Sequence, residues 1–194
     1  QFGFRDLESV EGKLLLNGYT LFLRGEHDPG SFPLTGYPSM GKDEWLRIFM
    51  NGKEYGLNHW RFHSWCPPEA AFAAADEVGI YLQPELPLFS QNWENTLVGQ
   101  DVARDEFLFS ELQRLLDTYG NHPSFMFMCM GNELKGDTTV LKNWVAYGKE
   151  YDDRHLYASN ANLEAMGLFL PLEGDEFQVA HAAKVDGKRY ERRM

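Results

Sequence analysis

The chain has 194 residues, of which 43% are hydrophobic and 24% are charged, a composition typical of a globular domain with a substantial core. The formal net charge is −11, and the one clustered basic run lies at 188–193, so the sequence argues against nucleic-acid binding. No apolar run approaches the length of a membrane span. Cys66 and Cys129 predict buried free thiols, because their spacing fits neither a disulfide framework nor a Cys-x-x-Cys site.

The first segment predicts a hairpin. Apolar stretches at 13–16 and 19–24 flank Asn17-Gly18, the strongest short turn signal. We therefore expect residues 1–18 to form an opening hairpin, within a single domain that spans residues 1–194. The chain starts inside a strand-like stretch, which favours a segment of a longer protein.

Strands and helices then alternate along the chain. With 19–24 as the first strand, further strands are predicted at 59–63, 80–85, 124–130 and 156–159. Apolar residues at helical spacing, with proline, glycine or aspartate at the ends, predict helices at 42–55, 67–78, 101–119 and 138–151. Beyond about residue 171 the pattern predicts no regular element.

This alternation predicts an α/β fold with a parallel sheet and right-handed crossovers. A doubly wound sheet and a (β/α)8 barrel of the TIM type both fit it. The barrel is favoured because no glycine-rich phosphate loop follows any strand. Polar side chains instead follow successive strands, where a barrel places its chemistry: His27, Asp28, Arg61, His63, Glu85, Asn132, Glu133 and Asn160.

Five strands amount to an incomplete barrel of about five βα units. Such a half barrel exposes two unpaired strand edges. We therefore expect self-association, or else an incomplete and partly disordered tail.

Glu133 is the first candidate for chemistry. It follows an apolar strand and Gly131-Asn132, and partial desolvation at the mouth of a buried strand suits a proton donor. The competing interpretation is that Glu133 simply caps the next helix, and spacing alone does not decide between the two. Glu85 also ends a strand, and its flanking prolines hold it in place, so it could bind a hydroxyl, orient another group or be the second carboxylate of a pair.

Strand alternation places His59, Arg61 and His63 on one face, a combination that suits binding of hydroxyls or of a carboxylate. A metal site built from His27, Asp28 and His63 is the rival. An arginine between two histidines repels a cation, and no His-x-x-x-His lies on a helix, so we expect neither a metal nor a cofactor.

Ser64, His122 and His155 are not expected to carry chemistry. No Gly-x-Ser-x-Gly turn occurs, so Ser64 is not expected to be a nucleophile despite its neighbour His63. His122 and His155 are expected to be structural, because they lie in a helix-ending turn and at the start of a strand.

Ordered motifs indicate a family. Five segments resemble, in the same order, the start of the catalytic barrel of glycoside hydrolase family 2. They are Phe2-Gly3-Phe4-Arg5, the stretch 16–25, Tyr55-Gly56-Leu57-Asn58 with Arg61, the stretch 76–80, and Glu85-Leu86-Pro87. This family includes β-galactosidases, β-glucuronidases and β-mannosidases. The most specific segment is Asn121-His122-Pro123-Ser124 followed by Gly131-Asn132-Glu133. The resemblance covers about residues 2–135.

The resemblance implies roles for individual residues. Glu133 is then the general acid/base, and Asn132 contacts the sugar 2-hydroxyl. Arg61, His63, Glu85, His27 and Asp28 are then substrate-binding or supporting residues. Family members are retaining enzymes whose nucleophile lies near the seventh strand, so it is expected outside this chain. Departures from the family pattern at 26–28, Ser64 and Met128 bear on which sugar is bound.

We therefore expect a retaining exo-β-glycosidase that removes a terminal sugar from an oligo- or polysaccharide, with the isolated chain inactive. The carbohydrate substrate is the expected partner, with neither nucleic acid nor membrane, and an extracytoplasmic location is favoured. Trp65, Trp93 and Tyr37 are candidate sugar platforms, whereas Trp60 is expected in the core. The alternatives are an inactive carbohydrate-binding or scaffold barrel and, third, a metal hydrolase.

Overall fold

The computed structural model describes residues 4–90, 96–162, 171–179, 183–185 and 188–190. The strands are β1 (Leu7–Val10), β2 (Lys13–Leu16), β3 (Tyr19–Leu21), β4 (Gly25–Asp28), β5 (His59–Phe62), β6 (Tyr81–Gln83), β7 (Phe127–Cys129), β8 (Leu156–Ala158), β9 (Ala183–Val185) and β10 (Lys188–Tyr190). The helices are α1 (Lys42–Glu54), α2 (Glu69–Val78), α3 (Val102–Tyr119) and α4 (Thr138–Tyr151). In these ranges no helix combines the length and the apolar character that crossing a bilayer requires.

The chain opens with a three-stranded antiparallel sheet in the order β1-β2-β3. Asn17 and Gly18 form the predicted turn, with φ angles of 52° and 77°. The prediction that 19–24 begins the parallel series is wrong. The two-residue turn forces β3 to pair antiparallel with β2, so the parallel series starts only at β4.

Five parallel strands follow in chain order. β4, β5 and β6 pair side by side in parallel, and so do β7 and β8. Parallel bridges between Leu82 and Phe125 and between Glu85 and Cys129 connect β6 to β7. One helix lies between each strand and the next, from α1 to α4. This arrangement confirms the predicted α/β class with parallel strands.

The helix boundaries agree with the sequence signals. Asp137 caps α4 by accepting a hydrogen bond of 2.7 Å from the Thr139 amide, and Asp101 accepts one from Arg104 at the start of α3. Gly79 ends α2 in the left-handed conformation, with φ of 77°. The apolar run 124–130 is buried throughout but forms a regular ladder only over β7.

Apolar side chains pack on two sides of the parallel strands. The larger cluster joins strands to helices and includes Trp45, Phe49, Trp60, Phe72 and Trp144, so Trp60 lies in the core as predicted. The second cluster is set between the strands and the opening sheet, whose leucines pack against Phe127, Cys129 and Leu156. Cys66 and Cys129 are free thiols.

The opening segment covers the amino ends of the parallel strands. Arg5 donates hydrogen bonds to the carbonyls of His122 and Arg154, which precede β7 and β8, at 3.1 and 2.8 Å, and also to the Pro123 carbonyl. The carboxyl ends of the strands lie at the opposite edge. Polar side chains on that edge are therefore free to form a site.

Candidate active site at the carboxyl ends of the strands

A buried ion pair forms the centre of the site. Arg61 on β5 donates from Nε to Oε1 of Glu85 at 2.6 Å, and the Ser64 amide donates to Oε2 of Glu85 at 2.7 Å. Arg61 is 9% exposed and Glu85 is fully buried. Burial raises the pKa of Glu85, and the adjacent Arg61 guanidinium opposes that rise. Both carboxylate oxygens of Glu85 are therefore engaged, one by Arg61 and the other by the Ser64 amide.

Arg61 also reaches across the sheet to the segment that follows β7. Its second guanidinium nitrogen donates to Oδ1 of Asn132 at 2.6 Å. The backbone of Asn132 is held by a 3.0 Å hydrogen bond to the Leu88 carbonyl. Just before it, Gly131 has φ of 137°, and an added Cβ would lie 2.6 Å from that carbonyl oxygen, so only glycine fits there.

Glu133 stands at the open end of this arrangement. Its amide donates to the Ala161 carbonyl at 2.8 Å, and its Oε1 accepts from Nδ2 of Asn162 at 2.7 Å. The residue is half-buried, so its carboxyl group borders solvent. The helix-cap interpretation is wrong, because α4 begins at Thr138 with Asp137 as its cap.

Two histidines line the same edge. The rings of His27 and His63 meet edge to face with centroids 4.9 Å apart, and His63 contacts Phe89 at 5.3 Å. Desolvation first, and then the positive charge of Arg61, lower the pKa of both imidazoles. Both are therefore neutral at neutral pH and able to exchange hydrogen bonds with hydroxyl groups.

Asp28 lies on the other face of β4. In the parallel register His27 is opposite Arg61, whereas Asp28 is opposite Phe62, so successive side chains alternate between faces. The Asp28 carboxylate accepts from the amide of Gly30 at 2.8 Å and from the indole of Trp60 at 3.4 Å. The structure therefore does not bring Asp28 together with the other predicted substrate-binding residues.

The predicted sugar platforms differ from one another in placement. The indole of Trp65 donates to the Asp28 carbonyl at 3.0 Å and packs edge to face on Phe62, so this ring belongs to the loop packing. Tyr37 is 62% exposed in the loop after β4. Trp93 lies outside the described residues.

Backbone conformation marks the same edge. Ser64, Glu133 and Asn162 have φ angles of 58°, 50° and 62°, in the left-handed region that non-glycine residues rarely adopt. Such residues cluster at functional sites, where the surrounding structure holds them in place. Asn162 is not among the residues predicted from the sequence, although asparagine adopts the left-handed conformation more readily than most residues. Ser64 is predicted only not to be a nucleophile.

No group of three histidine, cysteine, aspartate or glutamate side chains in the described ranges is arranged to hold a metal ion. The geometry instead provides hydrogen-bonding groups around one accessible carboxyl group. A parallel βα succession with such an edge defines the chain as an α/β protein of the class that places its chemistry at the carboxyl ends of its strands.

Comparison with curated proteins gives relatives of one kind. The chain is 28% identical over 164 residues to the β-galactosidase large subunit of Latilactobacillus sakei. The aligned region covers 80% of this chain and 26% of that protein. It is 24% identical over 176 residues to the β-galactosidase of Photobacterium profundum, covering 89% of this chain and 17% of that protein. The chain thus spans about a quarter or less of the curated relatives it matches. No family model matches it.

Solved structures agree on the fold. The β-glucuronidase of Parabacteroides merdae superimposes with a TM-score of 0.69 at 23% identity, over 84% of this chain and 21% of that one. The β-glucuronidase of Dictyoglomus thermophilum gives a TM-score of 0.72 at 19% identity, over 80% and 28% of the two chains. Together these relatives confirm the resemblance to glycoside hydrolase family 2 that the motifs predict.

Proposed function

We propose that the chain is the first part of the catalytic (β/α)8 barrel of a retaining glycoside hydrolase, with Glu133 as its general acid/base. The observation that carries the proposal is the connected set of side chains from Glu85 through Arg61 to Asn132, which ends beside the half-buried Glu133. The five parallel strands in chain order support the barrel, and the relatives' names support the reaction class.

In the proposed reaction, the protonated Glu133 carboxyl group donates its proton to the glycosidic oxygen as the bond to the anomeric carbon breaks. A second carboxylate forms a covalent bond to that carbon, and in retaining enzymes it lies about 5 Å from the acid/base. We place this nucleophile outside the present chain, because the family resemblance puts it near the seventh strand. Glu85 is not the nucleophile in this proposal, because both of its oxygens are engaged by Arg61 and Ser64. In the second step Glu133 takes a proton from the attacking water.

The remaining polar residues are assigned to sugar binding. Asn132 is held by Arg61 through Oδ1, which leaves its amide nitrogen to donate to a sugar hydroxyl. His27 and His63, neutral and paired at the edge, provide further hydrogen bonds without adding charge. A terminal β-linked galactose or glucuronic acid is the first substrate class to test, since the relatives are named for these sugars.

The test uses the longer protein that we propose to contain this chain. Wild type, Glu133→Gln and a control Glu54→Gln on the exposed surface of α1 are compared on aryl β-galactosides and β-glucuronides. We expect Glu133→Gln to lower kcat/KM for poor leaving groups by about 10²–10⁴-fold, the usual contribution of a general acid, and to affect dinitrophenyl glycosides far less. The control should match the wild type.

Two results would reject the proposal. If the wild type turns over none of these glycosides but binds the sugars, the chain belongs to a binding or scaffold barrel. If Glu133→Gln keeps wild-type rates with poor leaving groups, Glu133 is not the acid.

A further inference from the structure

We propose that Asn162 is a positioning residue, whose side-chain amide holds the Glu133 carboxyl group in the orientation that proton transfer requires. This inference rests on the proposed function of Glu133. Nδ2 of Asn162 lies 2.7 Å from Oε1 of Glu133, and Asn162 is only 7% exposed. No hydrogen bond from the described residues reaches Oε2 of Glu133, so the contact secures one of the two carboxyl oxygens.

The backbone fixes both partners of this contact. The Glu133 amide donates to the Ala161 carbonyl at 2.8 Å, and the Ala161 amide donates to the Gly131 carbonyl at 2.9 Å. The next amide, that of Asn162, donates to the Val179 carbonyl at 2.7 Å. The backbone at Asn162 is thus fixed on both sides, through Ala161 to Gly131 and through its own amide to Val179, which leaves its short side chain little freedom.

The orientation of the Asn162 amide is determined by charge. If the group were flipped, its oxygen would face a carboxylate oxygen, and two acceptors would repel each other. In the present orientation Oδ1 of Asn162 is buried and has no partner among the described residues. A buried acceptor left unpaired is unfavourable. Among the described residues, the contact with Glu133 is the one hydrogen bond that this side chain makes.

A neutral donor suits an acid/base better than a charged one. Glu133 must carry a proton in one step and accept one in the next, so a fixed cation beside it would hold it in the ionised form. An amide holds the side chain without adding charge. Catalytic groups lose efficiency when their supporting residues leave them displaced by even 1 Å. Without Asn162, Glu133 could rotate about its side-chain bonds towards solvent.

The experiment uses Asn162→Gly in the same longer protein. Glycine tolerates the left-handed backbone, so this variant removes the donor with little backbone strain and adds no charge beside Glu133. Asn17→Gly is the matched control, because Asn17 is also left-handed, at φ of 52°, and lies in the opening hairpin. Two β-glycosides of the sugar that the wild type hydrolyses fastest serve as probes, one with dinitrophenol and one with methoxyphenol as leaving group.

We expect Asn162→Gly to lower kcat/KM for the methoxyphenyl glycoside by about 10–100-fold, part of a general acid's full contribution. The dinitrophenyl glycoside, whose leaving group needs no proton, should change less than about threefold. Asn17→Gly should leave both rates unchanged.

Equal losses on the two glycosides would overturn the inference, since they would show a purely structural role. Unchanged rates on both would also overturn it. If Glu133→Gln itself shows no dependence on the leaving group, the proposed function fails, and this inference fails with it. A normal leaving-group dependence of Glu133→Gln combined with a uniform effect of Asn162→Gly rejects only the role of Asn162.

Discussion

Two polar networks occupy opposite ends of the same parallel strands, and both contain arginine and carboxylate side chains. The base network, at the amino ends, consists of Arg5, Asp76, His122, Asp152, Arg154 and His155. The site network, at the carboxyl ends, consists of Arg61, Glu85, Asn132, Glu133 and Asn162. Each network contains one buried carboxylate, Asp152 in the base network and Glu85 in the site network.

The networks differ in their hydrogen-bond partners. In the base network Arg5 donates mainly to main-chain carbonyls, with one further contact of 3.0 Å to Nδ1 of His155, whereas Arg154 pairs with the Asp152 carboxylate. In the site network each of the bonds of Arg61 goes to a side chain, and the connected set borders on a half-buried carboxyl group. An arginine bound to backbone ties chain segments together, whereas one bound to side chains orients them. Residue type alone does not distinguish these roles.

The largest expected effect on stability is that of Arg61→Ala. Removal of Arg61 leaves Glu85 fully buried without its ionic partner, and breaking a buried pair in this way costs about 3–5 kcal/mol. The free energy of unfolding in urea measures it. Arg47→Ala, which removes an exposed arginine paired with Glu44, is the control and should leave the free energy of unfolding almost unchanged.

The double variant Arg61→Met with Glu85→Leu tests whether the loss in Arg61→Ala comes from leaving Glu85 buried without a partner. Replacing a buried pair with apolar residues often restores stability, so this variant should recover most of the loss. A cost below about 1 kcal/mol for Arg61→Ala alone would contradict the structural importance of the pair.

In the base network, Asp152→Asn should cost about 2–3 kcal/mol at pH 7. Burial by itself would raise the pKa of Asp152, but hydrogen bonds from His155 and Arg154 outweigh it and hold the pKa well below its usual range. A lowered carboxyl pKa stabilises the fold above the unfolded value of about 3.9, and this stabilisation is lost as the pH falls further.

Urea unfolding at pH 7 and below pH 4 tests this prediction, because the gap between wild type and variant should narrow on acidification. The neighbouring Asp153 is exposed, and Asp153→Asn should stay within about 0.5 kcal/mol of the wild type. A gap that is independent of pH would contradict an electrostatic role.

The smallest expected effect concerns His59, which lies in the interior between the two networks. Burial lowers the pKa of His59 to about 4. Because the unfolded value is about 6.5, the folded state binds fewer protons, so stability is present above pH 6.5 and declines as the pH falls towards 4. Between pH 7 and 5, His59 should account for about 2 kcal/mol of lost stability.

The His59→Gln variant should lose that part of the pH dependence while keeping a polar group beside Gln83. Unfolding curves at pH 7, 6 and 5 measure the difference. Lys42→Ala, which breaks an exposed ion pair with Glu77, should leave the slope unchanged. An identical slope in wild type and His59→Gln would show that His59 titrates normally.

Local sequence signals predict most of the secondary structure. All four helices lie within two residues of their predicted limits, because the amphipathic pattern and the end signals at Gly79, Asp101 and Asp137 act over short distances. Within the opening hairpin predicted for residues 1–18, the sequence does not mark Leu7–Val10 as a strand, since this stretch is largely exposed and lacks an alternating pattern. The prediction that the parallel series begins at 19–24 is wrong because strand pairing decides the direction, and β3 pairs antiparallel with β2.

Local sequence signals predict only some of the residues of the candidate site. Arg61, Asn132 and Glu133 follow from strand ends and from ordered motifs. The face on which Asp28 lies depends on the register between β4 and β5. The sequence-based prediction puts the first parallel strand at 19–24, before β4, and so does not include this register. Asn162 was missed because its partner Glu133 lies 29 positions away, a separation that no local pattern records.

The amino-acid sequence by itself determined the alternation of strands and helices, the resemblance to glycoside hydrolase family 2 and the position of Glu133 after a buried strand. These properties depend on spacing, burial and motif order along the chain. Tertiary structure alone decided that Glu85 serves Arg61, that Asp28 turns to the opposite face and that Asn162 meets Glu133. Hydrogen bonds between side chains depend on distances of about 3 Å between groups far apart in sequence, and only the packed sheet sets those distances.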